Sequence, residues 1–103
     1  MIKVLLVCNA GASTSIVAKK MKDQFKRIGK EAEVWAVPVD QAQTEHQKAD
    51  IILLGPQVRY QLDNIKEMVN NQIPVKVFNQ QDYATANAES IVNKLITLFG
   101  IEK

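Results

Sequence analysis

Cys8 is the only cysteine in the chain, and it stands where an apolar run gives way to a loop of small and hydroxyl-bearing residues. The run is Val4-Leu5-Leu6-Val7, and the loop is Asn9-Ala10-Gly11-Ala12-Ser13-Thr14-Ser15. Ala10, Gly11 and Ala12 let the backbone approach a ligand closely, and Gly11 is free to take a positive φ. Ser13, Thr14 and Ser15 are cap-forming types with hydroxyl donors. A helix that starts in such a loop offers free N–H groups backed by the helix dipole, which is an anion site with phosphate as its natural occupant. The same position favours the thiolate of Cys8, the form that attacks. A thiolate beside an oxyanion cradle has both parts needed for phosphoryl transfer through a covalent intermediate. Each part has a plainer reading: a lone cysteine is commonly a small buried hydrophobe, and the loop alone is an ordinary strand-to-helix turn.

A second loop, Gly55-Pro56-Gln57-Val58, follows another apolar run, Ile51-Ile52-Leu53-Leu54. Together the two loops narrow the chemistry. A nucleotide-type phosphate loop needs Gly-Lys-Ser/Thr, which occurs nowhere in the chain. A receiver of the response-regulator kind needs acids after the first strand and an aspartate after the third. Those places hold Cys8-Asn9 and Gly55-Pro56. A flavin site calls for aromatic rings, and Trp35, Tyr60 and Tyr83 are few and differently placed.

The elements that must position these loops are legible as alternating runs. Val4–Val7 and Ile51–Leu54 are apolar throughout, as central parallel strands are. Val34-Trp35-Ala36-Val37 and Val75-Lys76-Val77-Phe78 are more mixed, as strands nearer an edge are. Between them Val17, Met21, Phe25 and Ile28 recur at helical spacing before Gly29. Val58, Leu62, Ile65 and Val69 do the same, as do Ala88, Ile91, Val92, Leu95 and Leu98 before Gly100. Asp40 to Lys48 is polar and reads as a short or poorly packed helix, and Asp82 as the start of the last one. The pattern is α/β: a single doubly wound, four-stranded parallel sheet of order 2-1-3-4, with helices on both faces. In such sheets ligands bind beyond the carboxyl ends of the strands where the order reverses, between the first and third strands. Both loops lie there.

Composition fits one domain spanning residues 1–103 and excludes several functions. Hydrophobic residues make up 47% of the chain, enough for a core. The net charge of +2, with 6% aromatics that do not cluster among charges, argues against a nucleic-acid binder. One cysteine and one histidine cannot make a structural zinc site, and no metal or cofactor is expected. His46 sits in a polar stretch away from the strand ends and reads as a solvated surface group. The apolar run at the start is too short for a signal peptide or a membrane span, so the chain is expected in the cytoplasm. The charge is uneven: Lys19, Lys20, Lys22, Lys26, Arg27 and Lys30 gather in one stretch with Asp23 as the only acid between Lys19 and Lys30. That stretch is either a solvated face or a docking surface.

Cys8-Asn9-Ala10-Gly11-Ala12-Ser13-Thr14-Ser15, followed by Ala49-Asp50-Ile51-Ile52-Leu53-Leu54-Gly55-Pro56-Gln57-Val58 and Tyr60, resembles the enzyme IIB component of the bacterial sugar phosphotransferase system, lactose/cellobiose/chitobiose class. The resemblance covers essentially the whole length. It implies that Cys8 takes a phosphoryl group from a histidine of a IIA protein. The group then passes to a sugar, such as cellobiose or chitobiose, as the membrane-embedded IIC component imports it. Asn9 to Ser15 would then be the phosphate cradle, with Gly55, Pro56, Gln57 and Tyr60 as a candidate rim of the active face. Ala12 departs from the methionine of many relatives, which touches partner contacts more than the cradle. Low-molecular-weight tyrosine phosphatases resemble the chain in fold, but their loop ends in an arginine six residues after the cysteine. Here Thr14 stands in that place, and a carrier is implied over a hydrolase. A thiol-dependent phosphatase or reductase and a non-catalytic anion-binding module are the alternatives.

Overall fold

In a computed structural model, which describes residues 2–8, 12–70 and 72–99 (side chains of 12–14, 98 and 99 excepted), four parallel strands stand in the order β2-β1-β3-β4. They are β1 (Ile2–Cys8), β2 (Ala32–Pro38), β3 (Ile51–Leu54) and β4 (Val75–Val77). The order predicted from the alternation of runs is the one found.

Alternation along β1 decides which helices lie where. Successive side chains point to opposite faces of a strand, and Val4 to Val7 are all fully buried because both faces are covered. Val4 and Leu6, with Ile51 and Leu53 of β3, pack under α1 (Ala12–Arg27) and α5 (Ala88–Phe99). There they meet Val17, Met21 and Phe25 from α1 and Ile91, Val92 and Leu95 from α5. Leu5 and Val7, with Ile52 and Leu54, pack on the other face against α2 (Val39–Glu45) and α3 (Leu62–Met68), through Ala42 and Ile65. Val4 pairs with Val34 on one side and Ile51 on the other, so β1 is anchored across its width. Truncating a fully buried side chain such as Phe25 to Ala in a core of this kind costs about 3–5 kcal/mol.

The helix ends follow from local sequence. Gly29 has φ 78° and closes α1: its N–H donates to Lys26 O at 3.1 Å, and the Lys30 N–H donates to Phe25 O at 2.9 Å. Both are the paired bonds of a left-handed glycine stop. Two expectations need correction. The segment from Val58 to Val69 is not one helix but a 3₁₀ helix, Pro56–Gln61, followed by α3. Val58 breaks the run at φ −118° and ψ 21°, although its side chain stays buried as the periodicity required. Asp82 does not begin the last helix. It lies in a separate short helix, α4 (Gln80–Ala84), which Ala86 at φ 51° cuts off from α5. The stretch from Asp40 to Lys48 is the short helix expected, α2 plus a 3₁₀ turn at His46–Lys48, with Ala42 fully buried and Val39 packed on the same core.

Candidate functional site

The carboxyl ends of β1 and β3 meet at the candidate site. Cys8 is the last residue of β1 and pairs in register with Pro38 of β2. It is buried, and its Sγ lies 3.8 Å from the carbonyl oxygen of Val37, to which the thiol donates a weak hydrogen bond. That contact exists only while sulfur keeps its proton, so a thiolate or a substituted sulfur must release it. α1 starts four residues later, at Ala12. Ser13, Thr14 and Ser15 therefore occupy its first turn rather than a cap position ahead of it, with Ser15 exposed. Asn9, Ala10 and Gly11 lie outside the described residues, as do the side chains of Ala12, Ser13 and Thr14.

Across the sheet, Gly55 continues β3 alongside Cys8. Its N–H donates to Val7 O at 2.8 Å, and its backbone is in an ordinary extended conformation, φ −62° and ψ 151°. The reason for glycine here is therefore space. A Cβ at this position would lie 3.8 Å from Cys8 Cβ, 3.6 Å from Val7 O and only 2.9 Å from Gln57 Oε1. Pro56 then fixes the first turn of the 3₁₀ helix, a place where its missing N–H costs nothing. That turn presents Gln57, Arg59 and Tyr60 outward, Tyr60 with 71% of its surface exposed.

These residues form one wall of a groove of about 680 Å³, lined by Pro56, Gln57, Arg59 and Tyr60 on one side and Gln80, Tyr83 and Ala84 of α4 on the other. The sequence reading missed the α4 wall. A signal for it was present in Asn79, whose Oδ1 accepts from the N–H groups of Gln81 at 3.0 Å and Asp82 at 3.1 Å, a cap that starts a helix there. Phe78 and Tyr83 brace that wall, with ring centroids 5.3 Å apart. A larger depression of about 770 Å³ runs along α5, past Asn87, Ser90, Lys94 and Thr97, but it holds neither a strand end nor Cys8.

Asp82, the buried carboxylate of α4, is committed to its own neighbours. Its Oδ2 accepts from Lys94 Nζ at 2.7 Å and from Ser90 Oγ at 3.0 Å. The hydrogen bond from Lys94, helped by the one from Ser90, holds its carboxyl below the usual carboxylate range against an opposing push from burial. An ionised, paired carboxylate has no proton to give a leaving group. His46 opens the 3₁₀ turn that leads into the amino end of β3, at the opposite end of the sheet from Cys8. Among the described residues no group of three His, Cys, Asp or Glu side chains is placed to hold a metal ion. Nor is any described helix long and apolar enough to cross a membrane.

The sequence profile of the family described as "PTS system, Lactose/Cellobiose specific IIB subunit" matches residues 3–94 of this fold. The chain belongs to that family. It is 37% identical over 97 residues to the oligo-beta-mannoside-specific EIIB component of Bacillus subtilis (strain 168), covering 93% of this chain and 94% of that one. It is 32% identical over 95 residues to the cellobiose-specific EIIB component of Lactococcus lactis subsp. lactis (strain IL1403), covering 86% and 88%. The solved structure of the cellobiose-specific phosphotransferase IIB component from Borrelia burgdorferi superposes with a TM-score of 0.76 at 29% identity, over 96% of this chain and 92% of that one. The lactose-specific IIB domain from Streptococcus pneumoniae shares the fold with a TM-score of 0.81 at 16% identity, over 99% and 98%. IIB components are phosphotransferases of sugar transport that work with IIA and IIC components, and this chain is one of them.

Proposed function

We propose that Cys8 is the phosphoryl carrier of this IIB component. The observation that supports this most is its place: the lone thiol ends the central strand, four residues before α1 starts and beside a glycine at the end of β3. The sulfur attacks the phosphorus of a phosphohistidine on the IIA protein. An S–P bond forms as the N–P bond breaks, and the departing imidazole takes the electron pair and the thiol proton. In the second transfer a sugar hydroxyl presented by IIC attacks phosphorus, an O–P bond forms, and Cys8 leaves as thiolate while the hydroxyl proton passes to solvent. The loop from Asn9 to Ser15 serves as the phosphate cradle, and Gly55, Pro56, Gln57 and Tyr60 border the active face. The chain acts as one carrier domain in the cytoplasm, meeting the membrane only through IIC. Its sugar is a β-linked glycoside, the class for which the oligo-beta-mannoside and cellobiose relatives are named.

A carrier must keep its phosphoryl group until the next partner arrives. Thr14 replaces the arginine clamp of the related phosphatases, and Asp82 is locked in an ion pair, so water attack on the thiophosphate lacks both a charge clamp and an acid from that carboxylate. The test is transfer from phosphoenolpyruvate to cellobiose in a reconstituted system with IIA and IIC-bearing membranes. Sugar phosphate should form with this chain and not with Cys8→Ser. Sugar phosphate formed equally well with Cys8→Ser, or rapid hydrolysis of p-nitrophenyl phosphate by the isolated chain, would contradict the carrier reading.

A further inference from the structure

We infer that Gln57 is a direct hydrogen-bond donor to the phosphoryl group on Cys8, admitted to that position by the missing side chain of Gly55. This rests on the carrier reading above. A single methyl-sized volume at Gly55 would touch both the Gln57 carboxamide, at 2.9 Å, and Cys8 Cβ, at 3.8 Å. The residue is exposed, but its carboxamide oxygen thus folds back over Gly55, next to the strand end that carries the nucleophile.

Several side-chain amides near helix ends are occupied among the described residues. Asn64 donates to Gln61 at 2.8 Å, and Asn79 and Asn87 accept backbone N–H groups as caps. The Gln57 amide, in contrast, has no hydrogen-bond partner among the described residues. Its oxygen faces Gly55, and a half-turn of the terminal amide presents NH2 there instead, since the two ends are nearly the same size. A phosphoryl dianion on Cys8 calls for donors all round it. Gln57 supplies a donor from the β3 side. A neutral amide in that role steadies the bound dianion without the full charge of an arginine, which suits a group that must be held and then released.

The test uses the full chain with Gln57→Ala and Gln57→Glu, charged by phosphohistidine IIA. Charging is followed by intact mass, and the phosphocysteine by its 31P resonance as a function of pH. Charging should slow roughly tenfold in Gln57→Ala and more in Gln57→Glu, where a donor becomes an anion. The pH midpoint of the 31P shift should rise by about half a unit or more in Gln57→Ala, and further in Gln57→Glu, because loss of a donor to the dianion favours its protonated form. Slow charging with an unmoved midpoint would assign Gln57 a merely structural role and overturn the inference. Wild-type rates and midpoints in both variants would overturn it as well, with the carrier reading intact. Failure of the unaltered chain to gain any phosphoryl group would remove both.

Discussion

Two polar corners of the same fold are built on opposite terms. At the α4–α5 corner a set of polar groups closes on itself: Asp82 accepts from Ser90 and Lys94, Asn79 caps α4, and the Ser90 N–H is taken by Asn87. At the β1–β3 corner a glycine stands where a side chain would fit the backbone angles, and the Gln57 amide beside it is uncommitted. The first corner positions a wall of the groove, and the second is left ready for a ligand. Closed networks fix geometry, whereas a binding site has to keep donors in reserve and gives up some stability to do so.

The sharpest way to break the comparison is at the nucleophile. Cys8→Ser should abolish phosphoryl transfer to sugar while costing only about 1–2 kcal/mol of stability, measured by urea denaturation. Retained transfer would place the chemistry elsewhere. Next in size is Gly55→Ala. The added methyl meets the end of a flexible glutamine, so stability should fall by less than about 1 kcal/mol. Charging by IIA should nevertheless slow by roughly tenfold as Gln57 is pushed aside. A large stability loss with unchanged charging would mean that the glycine serves packing alone.

The α4–α5 corner should behave in the reverse way. Asp82→Asn should cost about 1–2 kcal/mol, since the Lys94 partner is half exposed and screened, and leave the charging rate within about twofold. The pH dependence has a fixed sign. The folded carboxyl titrates below its unfolded value, so the stabilisation is complete above the unfolded pKa and is lost as pH falls through the lower folded one. Thermal melts of the wild type and Asp82→Asn should therefore converge in acid and separate toward neutral pH. The smallest effect concerns the basic face of α1, where Lys19, Lys22 and Lys26 are all exposed. Reversing their charges should slow transfer to or from a partner severalfold and flatten its salt dependence. No change in either would mean that this is only a solvated face.

How far each corner was legible in the sequence differs for physical reasons. The β1–β3 corner was legible because buried parallel strands are apolar throughout, and Cys8 and Gly55-Pro56 are abrupt departures at their ends. The split at Val58 was not, since its side chain keeps the helical period while its backbone leaves the helix. The α4 wall was hidden by brevity: five residues carry too little periodicity to stand out, and only the Asn79 cap announces them. The place of Gln57 depends on two segments converging at Gly55, which no local pattern encodes. Ala42 shows the opposite limit, a polar helix whose one fully buried side chain is a methyl.

The most direct test of the central claim is intact-mass spectrometry with site mapping, after incubation with phosphoenolpyruvate, the general phosphotransferase proteins and a cognate IIA. The account predicts a gain of one phosphoryl group, mapped to Cys8, stable at neutral pH, lost on iodine treatment and absent from Cys8→Ser. No gain in the presence of a IIA proven active on another IIB, or a phosphoryl group on any other residue, would contradict it.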